Sequence, residues 1–498
     1  MRLVCTQMLV DRTIESDADT MHSPRSFLLG AGTFVLALLL TFAIGSPAAV
    51  ADTSGTATAV ESNVTSFMTQ QLDSYQGSEG PFHNGVWTDA ADTCWACDNG
   101  GPVTAAATLY VLTGASNGTL LAEAKETINT AIADDQNADG SFNPPNTSAN
   151  VENSIWFGDE LGTTLRLLEP YLDANTLAQW QTALSADANY LMVSGNTASY
   201  INGNINLAET ELLWLTWQAT GNPTYETDYN NSWTFIMNPS QTKFPGAGWV
   251  TVQAPTQADG SDGQGYFAET GAGGTGWDPY YATLQLDVAA RLYLLSGDPR
   301  ALRVANMIMN LESPLVDTSN WMINTSNGTR HTGTNTSELI TSAYAVLGFE
   351  GGRNDLVADI LPQIEQEEQW YTEPGQADDA GFRRAFGNSV AVVALAAALA
   401  DPAISSTVSQ YGVLGVTSPT STSTSTSTTA PPATASTTTT PLDPTTPASS
   451  TTPKPTTSIP KTHRRLVEDL ADAESYAKTD EDLGHDFGSR VRHDRSMP

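Results

Sequence analysis

The connections between helical segments alternate in length, and this alternation constrains the fold more than any other feature of the sequence. Read with a 3.6-residue period, residues 53–414 resolve into twelve helical segments: 61–76, 103–113, 119–133, 155–169, 173–193, 204–220, 222–237, 279–296, 298–311, 336–349, 353–368 and 387–400. Strand-like alternation is nearly absent. The short connections carry stop and start chemistry, as in Thr113-Gly114, Gly221-Asn222-Pro223, Gly297-Asp298-Pro299 and Gly351-Gly352. There Gly ends one helix, and Asn or Asp before Pro caps the next. Each short turn predicts an antiparallel hairpin. The other six connections, 77–102, 134–154, 194–203, 238–278, 312–335 and 369–386, are long. Because successive helices reverse direction, all six must emerge at one end, and long loops in a domain are usually functional.

The helices that follow the long loops are the more apolar ones. Residues 204–220 and 387–400 are hydrophobic around most of their circumference, as inner helices are, whereas 173–193 and 353–368 are charged on one side. The expected fold is therefore all-α: an inner ring of six helices wrapped by an outer ring of six, an (α/α)6 toroid.

The turn signatures TGNP, SGDP and LTGASNG, the loop DDQNADGSF and the segments YINGNINLAE and GYFAETGAGGTGWDPYY resemble the six-hairpin glycosidase and toroidal polysaccharide-lyase superfamily. The resemblance covers about Asn63 to Asp401 and assigns no single family. It implies the architecture, a carbohydrate ligand, and a groove at the end where loops precede the inner helices. Terpenoid cyclases and prenyltransferase subunits also use double helical rings, but the acidic cyclase motif and metal set usual there are not evident here.

Outside residues 52–414 the chain reads differently. Residues 27–44 form an uncharged apolar run preceded by Arg25 and followed by Ala49-Val50-Ala51. Residues 1–51 thus read as a signal peptide cleaved after Ala51, with Met21 a plausible initiator; an uncleaved membrane anchor is the alternative. Residues 415–461 are a Thr/Ser/Pro-rich linker and 462–498 a charged tail, both too poor in apolar side chains to fold. The expected location is extracellular, with attachment to the cell surface through the stalk or an uncleaved anchor as a variant. Cys94 and Cys97 are the only cysteines after residue 51, and as C-W-A-C they suit a local disulfide outside the cell better than a zinc site.

The chain carries 55 Asp and Glu against 21 Lys and Arg, and Lys125 and Lys243 are the only lysines between residues 53 and 414. Such a surface repels polyanions, which argues against nucleic acid as a partner. No metal and no cofactor is expected, and the protein is read as a monomer.

The long loops are rich in aromatic and amide side chains, including Trp87, Trp95, Tyr200, Asn202, Asn204, Tyr266 and Trp277. Flat rings that stack on sugar C–H faces, and amides that both donate and accept, are the groups a glycan groove needs. The bland explanation is that several of these rings pin loops to the body. Hydrolysis of a glycoside needs two carboxyl groups, and the candidates are Glu269, Asp278, Asp159 and Glu160. Asp278 before Pro279 is also a good N-cap, and Asp159 with Glu160 also suits a first helical turn. Glu269 sits in a Gly-rich loop expected to be exposed. Asn202, Asn206 and Glu209 or Thr210 form a polar strip on one helix, expected either to line the central cavity or to contact a neighbouring helix. Tyr280, Tyr281, His331 and Arg383 complete the candidate substrate contacts. An Asn, His, Tyr and Arg group built on Asn202 or Asn204, Tyr280 or Tyr281, Arg330 and His331 would instead match the uronate chemistry of toroidal polysaccharide lyases. The acidic balance favours hydrolysis of a neutral glycan over that reaction, and a non-catalytic glycan-binding surface protein is the reading from another class.

Overall fold

The structure is a computed structural model, and it describes residues 53–78, 95–142, 151–193, 202–238, 248–269, 276–328, 335–336, 341–371 and 380–413. In chain order the helices are α1 (Thr53–Ser78), α2 (Trp95–Leu112), α3 (Gly118–Asp134), α4 (Val151–Leu168), α5 (Ala174–Val193), α6 (Gly203–Thr220) and α7 (Pro223–Ile236). There follow α8 (Pro279–Ser296), α9 (Pro299–Glu312), α10 (Thr341–Phe349), α11 (Val357–Tyr371), α12 (Ala380–Ala400) and the single turn α13 (Ser405–Val408). Among the described residues five short strands lie between them: β1 (Trp249–Gln253), β2 (Gln264–Phe267), β3 (Val316–Asp317), β4 (Met322–Asn324) and β5 (Asn335–Thr336).

The even-numbered helices close a ring. Helix α2 packs on α4, α4 on α6, α6 on α8, α8 on α10, α10 on α12, and α12 returns to α2. The odd-numbered helices cover them from outside and, apart from α1 against α11, touch one another far less. This is the (α/α)6 toroid the alternating connections predict. Its cause is visible in the burial pattern. Every residue of α6 from Gly203 to Thr216 is buried, so no face of that helix is left for water. In α9, by contrast, Arg300, Leu302, Arg303, Asn310 and Leu311 are only half-buried and Pro299 is exposed, so part of that helix still meets water.

The short turns work as their sequences require. The Asn222 and Asp298 side chains accept hydrogen bonds from the Thr224 and Arg300 N–H groups at 3.0 and 2.8 Å, each followed by a first-turn proline. Gly221 and Gly297 end α6 and α8 at φ of 65° and 67°, the left-handed cap conformation that glycine adopts without strain.

Several details differ from the sequence reading, and α1, α4 and α12 begin at Thr53, Val151 and Ala380 rather than at 61, 155 and 387. Helix α2 runs through Pro102 rather than starting after it, held by α12 and α4 on either side. Helix α10 starts at Thr341 rather than at 336, because Asn335 and Thr336 pair with β4. The long connections also contain strands: β1 and β2 form an antiparallel hairpin with Trp249 opposite Phe267, and β3, β4 and β5 form a second small sheet. Runs this short leave no periodic signal.

The motif Ala-Asp-Gly-Ser occurs twice in these connections, and both copies build the same strap. Asp139 accepts from the N–H and hydroxyl of Ser141, and Asp259 accepts from those of Ser261. The first strap ties down to α5, where Gln136 donates to the Ala183 carbonyl at 2.8 Å. The second lies along α9, where Asn306 and Asn310 donate to the carbonyls of Asp259 and Ser261 at 3.0 and 2.9 Å.

At the opposite end, the chain after α12 folds back across the ring floor. Val408 and Tyr411 are buried. Arg166 of α4 donates to the Leu295 and Gln410 carbonyls at 3.2 and 3.3 Å and stacks 5.2 Å from the Trp214 ring centre. Among the described residues no helix is long and apolar enough to cross a membrane. The apolar run 27–44, the linker and the tail lie outside the described residues.

A chain ending at Ser418 should therefore keep the melting temperature of the longer protein. One ending at Ile404 loses the buried Val408 and Tyr411, roughly 2–4 kcal/mol of apolar burial, and should melt several degrees lower by calorimetry. Equal melting temperatures would show that the floor segment contributes nothing.

Candidate functional site

The loop end is organised around the heads of α6 and α8. Gly203, the first residue of α6, lets the end of β2 come so close that a Cβ there would lie 2.2 Å from the Phe267 Cβ. That approach places Glu269 between two backbones. It bridges Asn202 on one side and Gly276 on the other, exchanging both N–H···O bonds with Gly276 at 3.0 Å. Its Oε1 accepts from the Asn204 N–H at 3.1 Å and from Nε2 of Gln285 at 2.7 Å. Gln285, reaching up from the second turn of α8, also exchanges two 3.0 Å bonds with the Phe267 backbone. The carboxylate is thus held from two helices, α6 and α8, while the Glu269 backbone is held by Gly276. The residue is also fully buried, which corrects the expectation of an exposed loop: its backbone is paired with Gly276 on one side, and the close approach at Gly203 holds it against α6 on the other.

Asp278 is the N-cap of α8, accepting at Oδ1 from the Tyr280 and Tyr281 N–H groups at 3.1 and 3.3 Å. The cap role foreseen for it is therefore present. Beside it Trp277 meets Tyr266 edge-on with ring centres 5.0 Å apart, and Tyr280 meets Tyr281 at 5.4 Å. Trp277, Tyr266 and Tyr280 are each half-buried. A groove of about 610 Å³ also runs along α3, lined by that one helix, including Leu121, Lys125 and Asn129. It lies on the outer ring and holds none of these side chains.

Asp159 and Glu160 belong to a lower tier. Asp159, Glu211 and Asp287 each sit eight residues into α4, α6 and α8, roughly 12 Å below the helix heads at 1.5 Å per residue. They converge on Arg291, which binds Glu211 through two nitrogens at 2.9 and 2.6 Å, Asp287 at 3.0 Å and Asp159 at 3.6 Å. Asp287 in turn accepts from Ser342 of α10 and, at 3.1 Å, from Ser389 of α12. One buried network thus joins five of the six inner helices. Burial, reinforced by Glu211, raises the Asp159 carboxyl well above the usual range, and Arg291 offsets this only in part. Burial likewise raises Glu211 against the pull of Arg291. For Arg291 itself burial opposes the charge, but Glu211 and Asp287 outweigh it and hold the guanidinium protonated. Glu160 turns instead toward α2, where a Cβ on Gly100 would lie 1.4 Å from its Oε2.

The remaining sequence candidates divide as follows. Asn204 and Asn206 are buried at the head of α6, and Asn202 is half-buried just before it. Thr210 faces outward to Ser232 of α7 at 2.6 Å, so the polar strip on α6 does not all turn to the ring axis. Trp87, Tyr200, His331 and Cys94 lie outside the described residues, as do the side chains of Trp95, Cys97 and Arg383. Sequence reasoning missed Gln285, Arg291, Glu211, Asp287 and Glu312. The spacing of Asp287 and Arg291, four apart in an apolar helix, was the available signal for an intrahelical ion pair.

No family model and no curated protein matches the chain. Solved structures do. A crystal structure of D-mannose isomerase aligns at TM-score 0.43 and 11% identity, over 67% of this chain and 97% of that one. A family 76 glycoside hydrolase from a bovine Bacteroides thetaiotaomicron strain aligns at 0.41 and 14%, over 68% and 77%. An unsaturated glucuronyl hydrolase from Streptococcus agalactiae aligns at 0.38 and 11%, over 68% and 80%. All three are proteins named for carbohydrates.

Arg291→Met should leave two or three buried acids without their cation and cost about 3–5 kcal/mol in denaturant unfolding. Asp159→Asn removes a carboxyl that burial already pushes well above the usual range and that is the most distant of the three from Arg291, so it should cost less than about 1 kcal/mol. Similar losses for the two variants would mean that Asp159 is charged in the fold.

Proposed function

We propose that the protein is a carbohydrate-active enzyme, a glycoside hydrolase acting on a neutral glycan at the loop end of the ring. The observation that supports this best is one short stretch, Tyr266 to Tyr281. It sets half-buried aromatic rings beside two rigidly held carboxyl groups, Glu269 and Asp278. Rings at that position offer stacking surface to sugar C–H faces. Glu269, with two N–H donors aimed at one oxygen, suits a base or nucleophile, whose geometry must not drift during reaction. Asp278 at the head of α8 is the second carboxyl group.

The charge balance inside the ring favours a neutral substrate over a uronate. Arg291 is the one buried base among the described residues, against the buried acids Glu160, Glu209, Glu211, Glu269, Asp278 and Asp287. An anionic sugar entering such a field is repelled. A polysaccharide-lyase reaction therefore ranks second. The reading includes export, because residues 27–51 have the apolar run and small-residue site of a signal peptide.

Glu269→Gln keeps the shape of the side chain and should reduce release of reducing ends from a neutral polysaccharide by about 10²- to 10⁴-fold, with its melting temperature within a few degrees. Full activity in this variant would remove Glu269 from the chemistry. Unsaturated products absorbing in the ultraviolet, rather than new reducing ends alone, would make the protein a lyase. Amino-terminal sequencing of the protein recovered from culture medium should begin after Ala51, and an intact amino terminus in the membrane fraction would replace export with anchoring.

A further inference from the structure

Glu312 has no role in the reading above, and its setting is unusual. It is the last residue of α9, fully buried, and among the described residues neither carboxyl oxygen has a hydrogen-bond partner. Buried carboxyl groups without partners are rare, because each loses its hydration for nothing in return. In the α8–α9 hairpin the end of α9 returns to the level of the head of α8, where Asp278 caps the helix. From above, the segment after β4 closes over this point: a Cβ on Gly328 would lie 2.9 Å from Pro279 Cδ and 3.8 Å from Asp278 Cα. Among the described residues the titratable group that acts on Glu312 is Asp278 on α8, and Glu312 in turn acts weakly on Tyr344 of α10; neither neighbour supplies a positive charge.

We propose that Glu312 is a positioning residue for Asp278: a carboxyl kept uncharged beneath the head of α8, whose ionisation at alkaline pH loosens that head and ends turnover. Asp278 receives two N–H bonds at the positive end of a helix, so it is the member of the pair suited to carry charge. Two adjacent acids in a medium of low polarity do not both ionise, which leaves the proton on Glu312. Burial first, and Asp278 second, hold its carboxyl well above the ordinary glutamate range. The native state therefore binds a proton that the unfolded chain releases near its ordinary value. The stabilisation is fully present below that ordinary range and is lost as pH rises through the raised one. Once ionised, the carboxylate demands water where the α9 end, the α8 head and the Gly328 segment leave none.

The catalytic half of this inference rests on the hydrolase reading; the titration half does not. The test compares the melting temperature of the wild-type protein with those of Glu312→Gln and Glu312→Met between pH 5 and 9. Both variants are uncharged at every pH. Each should fall with rising pH by about 2 °C less per unit than wild type, and the alkaline limb of glycan hydrolysis should move at least half a pH unit higher in Glu312→Gln. Wild-type and variant melting temperatures that fall in parallel would overturn the proposal, as would an unmoved alkaline limb in an active variant. If no protein hydrolyses any glycan, the hydrolase reading fails and the melting curves still decide whether Glu312 holds its proton.

Discussion

Each inner helix is apolar around nearly its whole circumference, and everything else in the structure follows from the need to cover it. Two inner neighbours cover two flanks, an outer helix covers the back, and the sixth helix must meet the first or an apolar seam stays open. The face turned to the ring axis cannot all be apolar without filling the axis completely. Here it carries charge instead. Arg291, Glu211, Asp287 and Asp159 occupy the middle level, so the ring is tied across its axis by ionic and hydrogen-bonded contacts as well as around its circumference by apolar ones. A buried network of this kind adds little net stability relative to apolar packing, but it penalises any arrangement that separates its members. Helices as featureless as α10 and α12 have few other means of fixing their register, and Ser342 and Ser389 supply one.

Much of this was legible in the sequence because the punctuation is chemical. Gly221-Asn222-Pro223 and Gly297-Asp298-Pro299 specify a left-handed cap, an N-cap and a first-turn proline in three residues, leaving one geometry for each turn. Helix count, hairpin pairing and the inner or outer identity of each helix followed from those turns and from apolar patterning. The strands did not, because pairs of two to five residues inside long loops are defined by partners distant in sequence. Helix starts fared worse than ends: the polar and glycine-rich heads of α2, α10 and α12 gave no cap to find.

The candidate site was legible only in outline. The stretch from Tyr266 to Tyr281 stood out by composition, and it does bring aromatic rings and carboxyl groups together. The sequence offered no means to see that Asp159 and Glu269, both acids in glycine-containing segments, lie on different levels of the ring. Depth along a helix can be counted once its first residue is known, but the first residue of α4 was itself uncertain by several positions. Glu312 was invisible for a different reason. At the end of an amphipathic helix an acid is normally solvated, and only the fold-back of α9 against the head of α8 removes it from water.

The seam that closes the ring also brings its two ends together. Thr58 on α1 donates a 2.8 Å hydrogen bond to Asp401, just past α12, so the first helix and the end of the last inner helix are direct neighbours although the two residues lie 343 positions apart. A toroid of this kind has no topological beginning. Its termini occupy one junction among six equivalent ones, and the order in which the hairpins are connected is set by where the chain happens to be opened. A circularly permuted chain, joined across this seam and reopened in another of the long connections, would carry every ring contact of the original. It also follows that the ring cannot be completed until its last helix has been synthesised: α2 waits, with one apolar flank uncovered, for α12.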